Sequence, residues 1–142
     1  MRRAVTATAL AACALAAAAC GRADSSQPAF FADVRAAIAD AGLRVCDETA
    51  TDARPPGATE EHRWDVAASC DDPDHPDAVV VATAYAGEGD RNAAALRFES
   101  GLHTPGQGVI WTLGLLTVRV SGDRDPAAVD ALTGALDDRG AK

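Results

Sequence analysis

Side chains that could carry out acid–base or nucleophilic chemistry are scattered along this chain of 142 residues. The imidazoles that could act as general acids or bases are His62, His75 and His103. The hydroxyls that could act as nucleophiles include Ser69, Ser100 and Ser121. None of these serines lies in a sequence context typical of a nucleophile elbow or a triad, and the spacing places no base beside any of them. The sequence therefore predicts no catalytic residues and a protein that is not an enzyme.

One short segment, residues 71–77, gathers four aspartates and His75 within seven positions. Hard cations such as Ca²⁺ take oxygen ligands at this density. However, Asp77 occupies the position of the glycine that an EF-hand loop requires when it is counted from Asp72, and no glutamate closes the loop. Two prolines also restrict how the carboxylates can converge. The segment is predicted to be a solvated acidic turn without a metal ion.

A glycine-rich segment, residues 87–92, follows a predicted strand and opens a predicted helix, which is the context of a dinucleotide-binding fingerprint. Asn92 stands where the third glycine belongs, and the carboxylates of Glu88 and Asp90 would repel a pyrophosphate. We therefore expect a turn with Asp90 as the N-cap of the following helix, and no cofactor.

Three helices are predicted around these segments. The first begins at Pro28, carries apolar residues at helical spacing and ends at Gly42. The second covers about residues 91–100, and the third begins with the N-cap Asp125 followed by Pro126.

Alternating or continuous apolar runs predict strands over residues 43–48, 62–70, 78–86 and 109–121, and residues 49–61 are expected to form a loop. Gly114 marks either a bulge in one long last strand or a turn that divides it. Trp64, Trp111 and Tyr85 lie on these strands, where aromatic residues are more often core than ligand surface.

This order of elements predicts an α+β fold, with a four- or five-stranded, mainly antiparallel sheet packed with three helices in the order α-β-β-β-α-β(-β)-α. We expect the helices to cover one face of the sheet. The helix between the strands at 78–86 and 109–120 leaves open a parallel right-handed crossover at that point.

The first residues of the chain have the pattern of a secretory signal: Arg2 and Arg3, an uncharged alanine-rich run, and small residues up to Cys20. With Ala17, Ala18 and Ala19 directly before Cys20, this segment resembles the signals of bacterial, actinobacterial-type lipoproteins. The resemblance covers about the first 21 residues, and Ala17 stands where leucine is commoner. Two other interpretations are ordinary secretion with cleavage after Ala19 and an uncleaved membrane helix, for which the run is short.

The resemblance implies a signal peptide at residues 1–19, a lipidated tether at 20–27 and a single domain at 28–142. It further implies that Cys13 is removed, that Cys20 carries acyl chains, and that the protein is anchored to the extracytoplasmic face of the cell membrane. Cys46 and Cys70 then remain as a pair in an oxidising compartment, which favours a structural disulfide. A redox pair would more commonly have the close Cys-x-x-Cys spacing, which is absent.

The formal charge of the chain is −8, and it becomes −10 when Arg2 and Arg3 leave with the signal. An acidic domain offers no electrostatic footprint for nucleic acid, and anionic headgroups would repel it. Membrane attachment must therefore come from the acyl chains. The expected role is a protein-binding or accessory module that engages another envelope protein, and the alternative is a carrier of a small apolar ligand between the sheet and the helices. A carrier needs a cavity of about 300 Å³ or more.

Overall fold

The computed structural model describes residues 31–51, 54–101, 108–122 and 124–142. The predicted signal peptide, the tether, Cys13, Cys20 and His103 lie outside the described residues. The helices are α1 (Phe31–Asp40), α2 (Glu88–Gly101) and α3 (Pro126–Asp137). The strands are β1 (Arg44–Ala50), β2 (Ala58–Ala67), β3 (Ala78–Tyr85), β4 (Val109–Leu113) and β5 (Leu116–Ser121). The predicted α+β class and the order of its elements are confirmed.

The five strands form one sheet in the order β1-β2-β3-β5-β4, and every neighbouring pair is antiparallel. The parallel crossover considered from the sequence is therefore wrong. After α2 the chain enters the sheet at the edge strand β4 and returns as β5 beside β3. This return requires a tight turn, which Gly114 provides with a φ of +56°. Gly114 is thus in the turn of a hairpin rather than in a bulge.

One face of the sheet, together with α1 and α3, forms the hydrophobic core. Trp64, Val80 and Val120 lie in one row of paired residues across three strands, and each is fully buried. The helices contribute apolar residues at helical spacing, namely Val34, Ala37 and Ile38 from α1 and Ala128, Leu132, Ala135 and Leu136 from α3. Because the two helices also pack against each other, they close this face of the sheet.

The N-terminal end of α3 confirms the capping prediction. The carboxylate of Asp125 accepts a hydrogen bond of 3.0 Å from the backbone N–H of Ala127, and Pro126 is the first helical residue. This arrangement satisfies one of the orphan N–H groups of the first turn and needs no N–H from the proline.

The helix α2 lies on the opposite face of the sheet from α1 and α3. Its Phe98 ring covers Arg119 of β5, which points away from the core, and the guanidinium carbon lies 5.6 Å from the ring centroid. The expectation that all helices share one face is therefore wrong for α2. The alternation of β5 explains the difference, because Thr117, Arg119 and Ser121 give this second face polar side chains that a helix can only partly cover.

Several element boundaries differ from the sequence prediction, most clearly the starts of β2 and α2. The strand β2 begins at Ala58, inside the predicted loop, because Glu60 and Glu61 pair with Ala84 and Thr83 of β3. The helix α2 begins at Glu88, so Asp90 lies within its first turn and is not the N-cap.

The predicted disulfide joins Cys46 and Cys70, whose Cα atoms are 5.3 Å apart. Cys46 lies at an irregularity in β1, between the paired residues Val45 and Asp47, and Cys70 follows the end of β2. The bond therefore ties the edge strand to the segment after its neighbour, at the open end of the hairpin.

Candidate functional site

A row of polar residues crosses the sheet on the face that carries α2. Glu61 of β2 pairs with Thr83 of β3, and Thr83 in turn pairs with Thr117 of β5. Thr112 of the edge strand β4 pairs with Thr117 and extends the row across four strands. Since directly paired residues project to the same face of a sheet, these side chains form one polar line beneath α2.

The central members of this row are buried. Glu61 is 7% exposed, while Thr83 and Thr117 are each 2% exposed. The hydroxyl of Thr83 donates a hydrogen bond of 2.6 Å to Oε2 of Glu61. Within the part of the chain that the structure describes, this carboxylate takes part in no ion pair. Burying a charged carboxylate costs free energy unless a positive charge or several hydrogen-bond donors surround it.

Two guanidinium groups border the same space. Arg119 is half-buried on β5, where the ring of Phe98 covers its charged end. Arg97 lies one position before Phe98 on α2 and is exposed. Neither guanidinium forms an ion pair with a carboxylate of the described residues. Arg119 is nevertheless held in place, because stacking on an aromatic face attracts a guanidinium by about 0.5–1 kcal/mol or more.

Together these groups line a recess between α2 and the sheet, which we call the α2 recess. Its volume is about 320 Å³. The lining residues are Pro55, Glu61, Thr83, Tyr85, Ala94, Arg97, Phe98, Ile110, Thr117 and Arg119. The size lies at the lower end of the range of small-molecule sites. A few converging polar groups beside aromatic and aliphatic walls are also typical of such sites.

The sequence of α2 explains why the α2 recess stays open. The helix presents mainly small residues such as Ala94 and Ala95 toward the sheet, and Ala95 is the one residue of α2 that is buried. Its large apolar residue Leu96 is 65% exposed and faces away. A helix that buries so little apolar surface cannot fill the space above a row of threonines.

Contacts at the first turn fix α2 over this space. The guanidinium of Arg91 donates a hydrogen bond to the carbonyl oxygen of Gly114, in the turn between β4 and β5. Asp90 packs against Gly57, whose positive φ of +83° and missing side chain let the loop before β2 approach the helix. The N-terminal end of α2 is thus attached both to the turn between β4 and β5 and to the loop before β2.

The predicted acidic turn contains a small network of its own. Nδ1 of His75 lies 3.0 Å from Oδ1 of Asp72, and a guanidinium nitrogen of Arg124 lies 3.6 Å from Oδ2. The hydrogen bond from His75, helped by the charge of that imidazole and of Arg124, holds the pKa of Asp72 below its ordinary value of 3.8. Among the described residues, no group of three or more histidines, cysteines, aspartates or glutamates is arranged to hold a metal ion.

The other predicted acid–base and nucleophilic residues are dispersed. The imidazole of His62 lies between Glu48 and Glu60, at 3.2 and 2.8 Å, on the core side of the sheet. Ser69 donates a hydrogen bond to Asp71, and Ser100 donates to the carbonyl oxygen of Arg97. The remaining candidate, Ser121, borders an open surface groove of about 430 Å³ beside the acidic turn.

The aromatic residues divide between the core and the site. Trp64 is fully buried in the core, and Trp111 packs against that core while half-buried. Tyr85 is buried as well, but it forms part of the wall of the α2 recess. The core assignment is therefore confirmed for Trp64, while Tyr85 serves both packing and the recess.

Sequence reasoning missed the residues that form the α2 recess. Glu61 was expected in a loop, and Thr83 lies within an apolar run. The available signal was the alternation in β5, which puts Thr117 and Arg119 on the side opposite the core residues. Only the strand pairing brings these residues beside Glu61.

None of the helices in the described part is long and apolar enough to cross a membrane. Comparison of the chain with protein-family models, with curated proteins and with solved structures finds no match.

Proposed function

We propose that this chain is a lipid-anchored protein of the cell envelope that acts by binding, and that the α2 recess holds its ligand. The proposed location in the cell envelope is supported by the sequence pattern of Arg2, Arg3 and the alanine-rich run before Cys20. The disulfide between Cys46 and Cys70 agrees with an oxidising compartment.

The observation that carries the binding role is the buried carboxylate of Glu61 in a recess of about 320 Å³. Hydroxyls and guanidiniums beside it are groups that recognise the polar atoms of a ligand. Of the two roles expected from the sequence, carriage of a small ligand requires a cavity of about this size. The polar lining, however, favours a polar ligand over the apolar one first considered.

The second candidate is the protein-binding module, and the part of the same sheet face beyond α2 favours it. Arg63, Asp65, Val79 and Val81 lie there, and none of them is fully buried. Val79 also borders the open surface groove beside the acidic turn. A sheet surface of mixed charged and aliphatic residues is suited to a partner protein.

The binding role is tested by thermal unfolding of the full chain in detergent, with amino acids, sugars and small carboxylates added singly. We expect at least one compound to raise the melting temperature of the wild type. The variant Glu61→Gln should lose this response, whereas Glu99→Gln, an exposed change on α2, should keep it. An equal response of wild type and Glu61→Gln to every active compound would contradict the α2 recess as the site.

The lipid anchor is tested separately by mass spectrometry of the membrane-bound form. We expect acyl chains on Cys20 and a new N-terminus at that residue. The variant Cys20→Ser should move the protein from the membrane to the soluble fraction. An unmodified chain that begins at Cys20 and is released into the medium would refute the lipid anchor.

A further inference from the structure

We propose that the ligand of the α2 recess is a small zwitterion of the amino-acid class, whose ammonium group binds Glu61 and whose carboxylate binds Arg119. This inference rests on the proposed binding function and adds the chemical class of the ligand.

The α2 recess contains opposite charges that are separated from each other. Glu61 and Arg119 project from the same face of the sheet, two strands and two residues apart. With strands about 4.8 Å apart and a rise of about 3.3 Å per residue, their Cβ atoms are about 12 Å apart. Arg119 does not extend toward Glu61, because its guanidinium lies against the ring of Phe98, and no ion pair joins the two residues, so the space between the two charges stays open. An α-amino acid, whose ammonium and carboxylate groups lie about one hydrogen-bond length apart, bridges two such opposite charges.

The charged groups of Glu61 and Arg119 each lack an ionic partner among the described residues. Thr83 supplies one hydrogen bond to the carboxylate of Glu61, a residue that is 7% exposed, but no positive charge of the described residues pairs with it. An ammonium group provides the missing charge and up to three N–H donors. The half-buried guanidinium of Arg119 offers a planar pair of donors that matches a carboxylate. Arg97 at the rim adds a second positive charge on that side.

The size of the α2 recess and its apolar wall match a free amino acid. At about 30 Å³ for each water-sized group, a recess of about 320 Å³ accommodates about ten such groups. This capacity suits a free amino acid and excludes an acyl lipid or a dinucleotide from full enclosure. Phe98 and Ile110 supply an apolar wall for an aliphatic side chain. L-Leucine is therefore a suitable first probe.

The experiment is isothermal titration of the full chain in detergent with three matched compounds. L-Leucine carries both charges, 3-methylbutylamine lacks the carboxylate, and 4-methylpentanoate lacks the ammonium group. Glucose serves as an uncharged polar compound. We expect leucine to bind at least tenfold more tightly than either single-charge analogue, and glucose not to bind.

Two variants assign the charges to residues. Glu61→Gln, which keeps an oxygen that can accept the Thr83 hydrogen bond, should weaken leucine at least tenfold and leave 4-methylpentanoate unchanged. Arg119→Met should weaken leucine and 4-methylpentanoate and leave 3-methylbutylamine unchanged. Arg44→Gln, an exposed change on β1, is the control. Melting curves without ligand verify that each variant is folded.

The outcomes separate the two proposals. Glucose or a single-charge analogue that binds at least as well as leucine, and loses binding in Glu61→Gln, overturns the zwitterion and keeps the α2 recess as a binding site. Binding that both variants leave unchanged overturns the recess itself. If neither these compounds nor the wider panel of amino acids, sugars and carboxylates binds, both proposals fail.

Discussion

Replacing both Cys46 and Cys70 with alanine removes the bond that closes the open end of the β1–β2 hairpin. Among the strands of the described residues, β1 is at the edge of the sheet and pairs with β2 alone. Its residues are mostly exposed, so that it contributes little apolar burial of its own. The hairpin therefore depends on its backbone pairing and on this covalent closure.

The magnitude follows from the length of the loop that the bond closes. A sequence separation of 24 residues gives a stabilisation of about 3.5 kcal/mol, through the lower conformational entropy of the unfolded chain. For a domain of about 110 residues the entropy of unfolding is about 0.23 kcal/mol/K. The double variant should therefore melt about 15 °C below the wild type.

The assay is thermal unfolding followed by circular dichroism, with and without a reducing agent. The reductant should lower the melting temperature of the wild type to that of the double variant. It should not change the double variant, which serves as the control for other effects of the reductant. A double variant that melts within about 3 °C of the wild type would refute the assigned contribution of the disulfide.

Three further predictions concern stability and titration. Gly134 is in an exposed position of α3 with open space around a new methyl group, so Gly134→Ala should raise the free energy of unfolding by about 0.5–1 kcal/mol. Its counterpart Gly108→Ala should lower the free energy of unfolding by more than about 2 kcal/mol, because Gly108 has a φ of +85° and an added Cβ would lie 2.2 Å from the carbonyl oxygen of Val120. Trp64→Phe should lower the free energy of unfolding in urea by less than about 2 kcal/mol, because the buried indole N–H has no hydrogen-bond partner among the described residues. A larger loss would contradict this and would indicate that the indole N–H has a partner. His75→Ala should raise the pKa of Asp72 toward 3.8 in an NMR titration, and an unchanged pKa would contradict the assigned cause. A lowered carboxyl pKa stabilises the fold at higher pH. The small contribution of Asp72 to stability is therefore present above about pH 4 and is lost as the pH falls through the folded-state pKa of Asp72.

The elements of this fold were largely predictable because their signals are local. The N-cap Asp125 with Pro126, and the apolar spacing of α1 and α3, depend only on neighbouring residues. The alternation in β5 likewise assigned Val118 and Val120 to one face before any partner strand was known. The disulfide was predictable from the cysteine count together with the expected export of the chain.

The sheet order and the α2 recess were not predictable in the same way. Strand pairing depends on contacts between distant residues, so the sequence left a parallel crossover beside β3 open. The side of the sheet that α2 covers also depends on tertiary packing, because its apolar pattern is weak and Leu96 faces solvent. The sequence predicts a loop that includes Glu61, because two prolines and a glycine at 55–57 and several polar residues are typical of a loop. Its neighbours Thr83 and Thr117 become a site only through the register of β2, β3 and β5.

The function that we propose for the α2 recess is the binding of a small polar ligand. Its most direct test is a two-dimensional amide NMR titration of the full chain in detergent with L-leucine, followed by the other amino acids, sugars and carboxylates of the panel. We expect saturable shifts at the amides of Glu61, Thr83 and Thr117 and along the inner side of α2, with the core helices α1 and α3 unchanged. Saturable shifts confined to other surfaces, or a spectrum that no compound alters, would contradict binding in the α2 recess.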